Sequence, residues 1–179
     1  MRTGETRPMT IEDHHARIDY IRLNSAVPQP IKNRFTTSCN LLLYSWFVYE
    51  FLQVAELYAF ASLEYALKER ISLEKVEKPT RGIKHRLNYA IEQGWLKDDE
   101  FPLIRKRREN KEHEDFRRKV YPSETFEVEP PDPQNYVKLL AETISDYRNE
   151  IAHGSSSLHH DAYGTLETRA NIINQLFPD

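Results

Sequence analysis

Residues 136–154 read YVKLLAETISDYRNEIAHG, and the rest of the chain is organised around this stretch. Its larger apolar side chains recur every three or four residues, at Tyr136, Leu140, Ile144, Tyr147 and Ile151. Such spacing is typical of a helix with one buried face. Gly154 follows the pattern, and glycine commonly ends a helix. The stretch therefore predicts a helix whose last turns carry Arg148 and His153.

The composition favours a helical protein. The 179 residues are 39% hydrophobic and 30% charged, which suits a single domain with a real core. The chain holds only five glycines and little of the alternation that marks strands. We therefore expect an all-α fold, with an N-terminal arm and short helix in residues 1–30 and a helical bundle in residues 31–179.

The charge and cysteine content limit the function classes. The formal net charge is -3, so the protein as a whole does not attract anions. Any anionic ligand must therefore bind at a local basic patch. The single cysteine, Cys39, excludes an intramolecular disulfide and a cysteine-rich zinc site. It fits a reducing compartment, and residues 1–24 do not resemble a signal peptide. We expect a cytoplasmic location.

The longest apolar stretch runs from about Ser38 to Ser72 and predicts one long helix. A carboxylate in a bilayer costs at least about 2.5 kcal/mol, so the glutamates in this stretch favour a position inside a bundle over a membrane span. Because it is apolar nearly all round, the helix should contact neighbours on several sides, including a second subunit. Arg148 is a candidate partner for Glu50, Glu56 or Glu64, and the sequence leaves the choice open.

The first helix should begin at Thr10, because Thr10 and Asp13 have the spacing of a capping box. It should extend to about Asn24. His14 and His15 follow each other and point about 100° apart on a helix, which favours a solvated pair over a shared metal site.

Further helix boundaries follow from capping residues. A helix over residues 81–93 should end at Gly94, and Asp98 should cap the next one, with Pro102 in its first turn. Asp132 and Pro133 should open the helix that carries Arg148.

The C-terminal helix should be capped by residues 155–157. His159, His160 and Asp161 have the side chains of metal ligands, but a polar cluster at the start of a helix is the favoured interpretation because no second spaced ligand pair accompanies them.

A basic run follows the third helix. Residues 105–119 contain 8 basic and 4 acidic residues in an otherwise acidic protein. The acidic residues fit a solvated helical face with ion pairs. The basic surplus fits a surface that contacts phosphates. The candidate RNA-binding residues are Arg105, Arg107, Arg108 and Lys111.

Arg148 and His153 together can cleave RNA without a metal. A histidine can accept and return a proton near neutral pH, and an arginine can hold two phosphate oxygens. The imidazole would help the ribose 2′-hydroxyl to attack the adjacent phosphorus while the guanidinium stabilises the phosphoryl oxygens.

The spacing of the two residues complicates this hypothesis. Five residues turn a regular helix by about 500°, so the two side chains diverge by roughly 140°. Either the last turn unwinds at Gly154, or a twofold-related subunit completes the pair. An arginine paired with a core glutamate and a histidine that caps the last carbonyls would explain both residues without catalysis.

The string RNEIAHG, from Arg148 to Gly154, resembles the R-x(4-6)-H motif of the HEPN superfamily, including the polar Asn149 after the arginine. Residues 61–70 are similar to a long-helix segment of HEPN-like proteins, and the resemblance covers about residues 38–177. It implies an up-and-down bundle of four to five helices that forms a homodimer. Arg148 and His153 would be catalytic, with Asn149 and Glu64 supporting.

The resemblance implies a metal-independent endoribonuclease, without a cofactor, that acts in toxin–antitoxin or antiphage systems. Its expected partners are an RNA substrate and a cognate antitoxin or defence-system protein. One subgroup carries a tyrosine two positions after the histidine, and Ser155 replaces it here, so inhibition by modification of that tyrosine is not expected. HEPN members that only bind a nucleotide or a partner protein provide the alternative function.

Overall fold

A computed structural model describes residues 7–74, 82–110, 136–152 and 161–179, and within these ranges the protein is all-α, with seven helices and no strand. This confirms the predicted all-α class. The helices are α1 (Ile11–Asp19), α2 (Gln29–Tyr44), α3 (Phe51–Leu73), α4 (Gly82–Glu92), α5 (102–110), α6 (Tyr136–Ala152) and α7 (Ala162–Leu176), with a short 3-10 turn at Asp98–Glu100.

The chain divides into two compact units. The first comprises Met1–Lys78 and Asp146–Asp179, and the second comprises Pro79–Ser145. The described helices of the first unit are α1, α2, α3, the end of α6, and α7.

The core of the first unit forms around α3, which packs against α2 and α7. Three of its alanines, Ala55, Ala59 and Ala66, are fully buried, so neighbouring helices can approach closely. Larger apolar side chains fill the remaining space, and the fully buried ones include Ile31, Leu42, Leu63, Leu67, Leu166 and Ile173. In the described part of the chain, no helix combines the length and apolar character that a membrane crossing requires.

The prediction of one helix from Ser38 to Ser72 is wrong, because a turn separates α2 from α3. The hydroxyl of Ser45 donates to the carbonyl of Leu42 at 2.6 Å, and the Ser45 N–H donates to the carbonyl of Leu41 at 3.0 Å. Trp46 and the three residues after it are aromatic or β-branched, and such residues favour helices only weakly. The two helices therefore meet at a turn rather than continue as one rod.

The start of α1 confirms the predicted capping box. The side chain of Thr10 accepts from the N–H of Asp13, and the Asp13 carboxylate accepts from the N–H of Thr10. The helix ends at Asp19, earlier than the predicted Asn24.

His14 and His15 do not form a solvated pair. His15 is exposed, but His14 is 4% exposed and its Nε2 donates to the carbonyl of Leu42 at 2.9 Å. Its Nδ1 contacts the hydroxyl of Tyr163 on α7. The last carbonyls of a helix lack partners within the helix. His14 therefore caps the C-terminal end of α2.

In the second unit, α4 ends as predicted. Gly94 has a φ of +69°, a left-handed conformation that favours glycine, and the N–H of Trp95 donates to the carbonyl of Ala90 at 3.0 Å. The ring of Trp95 packs edge-on against Tyr89.

Asp98 does not cap the helix that follows it in sequence. Its carboxylate accepts from the N–H groups of Val137 at 2.8 Å and Tyr136 at 3.2 Å, so it caps the start of α6. A side chain serves any nearby helix N-terminus with unpaired N–H groups, and tertiary contact brings α6 to Asp98. The predicted start at Asp132 and Pro133 lies outside the described residues.

The cap of α7 is Asp161, whose side chain accepts from the N–H of Gly164 at 3.0 Å. A Cβ atom at position 164 would lie 2.2 Å from an Asp161 carboxylate oxygen, so this close cap requires glycine. Asp161 thus belongs to a polar helix start, as expected. The predicted cap at residues 155–157, with His159 and His160, lies outside the described residues.

The buried face of α6 agrees with the predicted stripe at Ile144 but is displaced by one position before it. Val137, Ala141 and Ile144 are buried, whereas Tyr136, Leu140 and Tyr147 are half-buried. The large side chains flank the face and the smaller ones occupy its centre, because less room exists where the helix approaches its neighbours.

Candidate functional site

The candidate site lies at the C-terminal end of α6. Arg148 is half-buried there and Asn149 is exposed, and the guanidinium Nη1 donates to the Asn149 side-chain oxygen at 3.3 Å. His153 lies outside the described residues. The structure therefore places one of the two predicted catalytic side chains.

Tyr147, the residue before the motif arginine, anchors α6 to α3. Its hydroxyl donates to Oε1 of Glu56 at 2.8 Å, and Glu56 is only 2% exposed. A carboxylate buried in this way requires hydrogen-bond donors. Burial raises the pKa of Tyr147 above its ordinary value, and the hydrogen bond to Glu56 raises it further.

Two residues of α7 complete a buried polar cluster, which we define as Glu56, Tyr147, Thr165 and Arg169. The side chain of Thr165 and the positive charge of Arg169 both oppose the rise in the Tyr147 pKa. The Arg169 guanidinium lies 4.4 Å from the centre of the Phe60 ring, which contacts the ring of Tyr147 edge-on at 5.7 Å. The cluster joins α3, α6 and α7.

The buried polar cluster fixes the rotation of α6. Each residue advances a helix by about 100°, so a Tyr147 held towards α3 turns Arg148 away from the cluster. Arg148 accordingly remains partly open to solvent. Among the described residues, the Arg148 guanidinium makes one hydrogen bond, to Asn149. Its other N–H groups can therefore bind two oxygens of an anion.

The glutamates of the α3 region do not pair with Arg148. Glu56 accepts from Tyr147 at 2.8 Å, Glu64 forms an ion pair with Lys68 at 3.7 Å, and Glu50 is exposed. Arg148 and Glu64 are both described, and no hydrogen bond or ion pair joins them. The supporting role of Glu64 therefore stays a prediction.

The candidate RNA-binding residues lie on α5, in the second unit. Arg105 and Arg108 are exposed one helical turn apart, and Arg107 is half-buried. Arg108 forms an ion pair with Asp99 at 2.5 Å, so part of its charge is neutralised within the chain. Lys111 lies outside the described residues.

A cleft of about 460 Å³ lies between α1 and α2, apart from every predicted site residue. Its cations are already bonded, Arg22 to Asp19 at 2.5 Å and Lys32 to the carbonyl of Ser25 at 2.8 Å. Burial raises the pKa of Cys39, which lines the cleft, to about 11. This thiol stays protonated at neutral pH and is a poor nucleophile.

Sequence reasoning missed Tyr147, Thr165 and Arg169. Tyr147 was assigned to the apolar stripe, although a tyrosine has an apolar ring and a polar tip that seeks a partner when buried. Glu56, a carboxylate in the mostly apolar first half of α3, was the signal that such a donor was needed. Among the residues that the structure describes, no three of the histidine, cysteine, aspartate and glutamate side chains are grouped to hold a metal ion.

Comparisons with known proteins found no relative of this chain. No family model matches the chain, and neither a curated protein nor a solved structure matches it.

Proposed function

We propose that this protein is a metal-independent endoribonuclease of the HEPN type, with Arg148 and His153 as its catalytic residues. The observation that supports the proposal most is the partly exposed Arg148, which the Tyr147–Glu56 bond turns away from the core at the end of α6. A purely structural arginine would be expected to pair with the buried carboxylate, and Tyr147 has that role instead.

The proposed reaction needs a base and a fixed cation. His153 accepts the proton of the ribose 2′-hydroxyl as its oxygen attacks the adjacent phosphorus, and the bond to the 5′-oxygen breaks. The products are a 2′,3′-cyclic phosphate and a 5′-hydroxyl end, which takes up a proton. Arg148 stabilises the charge on the phosphoryl oxygens, and Asn149 holds one edge of the guanidinium.

The wider assignment rests on the same resemblance. The proposed fold is an up-and-down HEPN bundle, and the protein would act as a cytoplasmic homodimer in a toxin–antitoxin or antiphage system, with an antitoxin or defence-system protein as partner. The exposed Arg105 and Arg108 supply cations for the RNA backbone. Glu64 is retained as a supporting residue of the long helix.

The second candidate is a non-catalytic HEPN module that binds a nucleotide or a partner protein. The exposed aromatic side chains at the turn between α2 and α3 favour it, because such residues are enriched in protein interfaces. The guanidinium group of Arg148 would then bind a phosphate without cleavage of a phosphodiester bond.

The test is incubation of the protein with RNA in EDTA. We expect cleavage by the wild type, a loss of about 10²–10⁴-fold for His153→Ala, and a large loss for Arg148→Ala that Arg148→Lys restores only in part. The matched controls are His15→Ala and Arg22→Ala, which change an exposed histidine and an exposed arginine of the first unit.

Two results would contradict the proposal. Cleavage that survives both motif substitutions would remove Arg148 and His153 from the mechanism. If no RNA is cleaved but RNA or a nucleotide binds and Arg148→Ala weakens binding, the second candidate is the better assignment.

A further inference from the structure

The proposed function does not use the cleft between α1 and α2. Its volume is about 460 Å³, which lies within the range of about 300–1,000 Å³ that small-molecule sites occupy. All of its lining residues belong to the first unit, and Arg148 and Asn149 are not among them. A ligand in this cleft would therefore contact different residues from those of the candidate site.

The floor of the cleft is apolar. Phe35 is 3% exposed, Ile18 is 8% exposed and Ile21 is 9% exposed, and all three line the cleft. Leu43, which is half-buried, lines it as well. Removal of apolar surface from water is the main favourable contribution to binding, so this floor suits the apolar body of a ligand.

The cleft is elongated along α2. From Lys32 onwards, its lining residues recur every three or four positions and so share one side of the helix, at Lys32, Phe35, Thr36, Cys39, Asn40 and Leu43. Each residue advances a helix by about 1.5 Å, so Lys32 and Leu43 lie about 16 Å apart along the axis. This length favours a ligand with an extended chain over a compact ring system.

The Lys32 end of the cleft carries a positive charge that no ion pair balances. Arg22 pairs with Asp19 at 2.5 Å, so these two charges compensate each other. Lys32 donates to the carbonyl of Ser25 at 2.8 Å, and this neutral group leaves the charge and two N–H groups of the ammonium available. The first turn of α2 contains no acidic residue, so the positive end of its dipole adds to the charge of Lys32.

The acidic group that the charge of Lys32 reaches is already bonded elsewhere. The Asp179 carboxylate accepts from the hydroxyl of Ser25 at 2.6 Å and from the N–H of Ala26 at 3.0 Å. The hydrogen bond from Ser25 lowers the pKa of Asp179 most, and the charge of Lys32 contributes least. Lys32 can therefore bind the anionic group of a ligand.

Hydrogen bonds at both ends hold the cleft in shape. At one end, Nε2 of His14 on α1 bonds the carbonyls of Leu42 and Leu43 at 2.9 Å and 3.1 Å. At the other end, the bond from Lys32 to Ser25 joins α2 to the segment that follows α1. A preformed site binds a ligand with little loss of conformational entropy in the protein.

We propose that this cleft binds a monocarboxylate with an unbranched aliphatic chain. The carboxylate lies at the Lys32 end and accepts from the ammonium, and the chain runs along the floor towards Leu43. The single uncompensated charge favours a monoanion. A phosphate dianion would require a second cation, and Arg22 is already paired with Asp19.

Cys39 reports on occupancy of the cleft. It is the only cysteine of the chain, and its half-buried thiol lines the cleft. Octanoate bound along the floor should cover this thiol and slow its alkylation by iodoacetamide at about pH 9, where more thiolate is present than at neutral pH. We expect the protection to saturate with octanoate concentration, and titration calorimetry measures the same affinity without a label.

A series of ligands tests both parts of the proposal on the wild type. From hexanoate to octanoate to decanoate, each added CH₂ group should strengthen binding by about fourfold until the floor is covered, and acetate should not protect Cys39. Octanamide has the chain of octanoate and a neutral head, so it should bind at least about tenfold more weakly. Lys32→Gln should weaken octanoate binding to the same extent, whereas Lys84→Gln, at an exposed lysine of α4, should not.

Three results would overturn the proposal. If no carboxylate protects Cys39 or releases heat, the cleft is only a hydrated groove. If octanamide binds as tightly as octanoate, the Lys32 end does not recognise an anion, and this arm does not depend on the folding of a variant. If octyl phosphate binds more tightly than octanoate, the ligand class is a phosphate monoester. Circular dichroism checks that Lys32→Gln keeps its helices, and the absence of RNA makes every result independent of cleavage.

Discussion

The Tyr147 hydroxyl on α6 donates to the Glu56 carboxylate on α3 across 2.8 Å, and Glu56 is almost completely buried. This bond joins two helices that are far apart in sequence. It also sets the direction of the next side chain, Arg148. The Tyr147–Glu56 hydrogen bond therefore has two effects: it stabilises the fold, and it orients the candidate catalytic arginine.

Tyr147→Phe should destabilise the protein by about 1.5–3 kcal/mol, because the buried carboxylate loses a hydrogen-bond donor while the ring packing remains. Urea unfolding measures the change. Tyr20→Phe is the matched control, since Tyr20 is 88% exposed and its loss should cost less than about 0.5 kcal/mol. Equal effects of the two substitutions would show that the Tyr147–Glu56 bond contributes little to stability.

Charge reversal at Arg105, Arg107 and Arg108 should weaken RNA binding. Each lost phosphate contact should reduce the slope of log affinity against log salt by about 0.7 for a single strand. Arg105→Glu should have a larger effect than Arg108→Glu, because Arg108 already pairs with Asp99. Lys84→Glu, an exposed change on α4, is the control. An unchanged affinity in all three variants would mean that the basic run is only a solvated surface.

His14→Ala should reduce the stability of the protein far more than His15→Ala, although the two residues are adjacent. His14 is buried and bonds the carbonyls of Leu42 and Leu43, so its loss should cost about 1–3 kcal/mol. His15 is exposed, and its loss should change stability by less than about 0.5 kcal/mol. Thermal unfolding of the two variants measures the difference. If both variants unfold at the same temperature as the wild type, His14 does not cap α2.

The start of α1 should weaken in acid. Hydrogen bonds from Arg7 and from the Thr10 backbone lower the pKa of Asp13 from 3.8 to about 2. A lowered pKa means that the folded state favours the carboxylate, so this stabilisation is complete above about pH 4 and is lost as the pH falls through about 2.

Asp13→Asn removes the charge and tests this dependence. The wild type should unfold at a higher temperature than the variant at pH 6, and the difference should shrink between pH 4 and pH 2. Glu142→Gln, a change at an exposed position of α6, provides the comparison. A gap between the wild type and Asp13→Asn that stays constant down to pH 2 would show that the Asp13 charge does not stabilise the helix.

The sequence predicted those features of the fold that depend on nearby residues. The capping box of Thr10 and Asp13 and the end of α4 at Gly94 are as predicted, because they involve contacts within one or two turns. The break between α2 and α3 was missed, since apolar density alone does not distinguish one long helix from two. The partner of Asp98 lies 38 residues away, and local spacing gives no information about it.

For the candidate site, the residue types could be read from the sequence alone: Arg148 and His153 in one short stretch, Asn149 beside the arginine, and a helical apolar pattern before them. The packing of the folded chain was needed to show that Tyr147 rather than Arg148 bonds the buried carboxylate of α3. Periodicity fixes the angles between side chains within one helix, but the rotation of that helix against its neighbours depends on packing between distant parts of the chain.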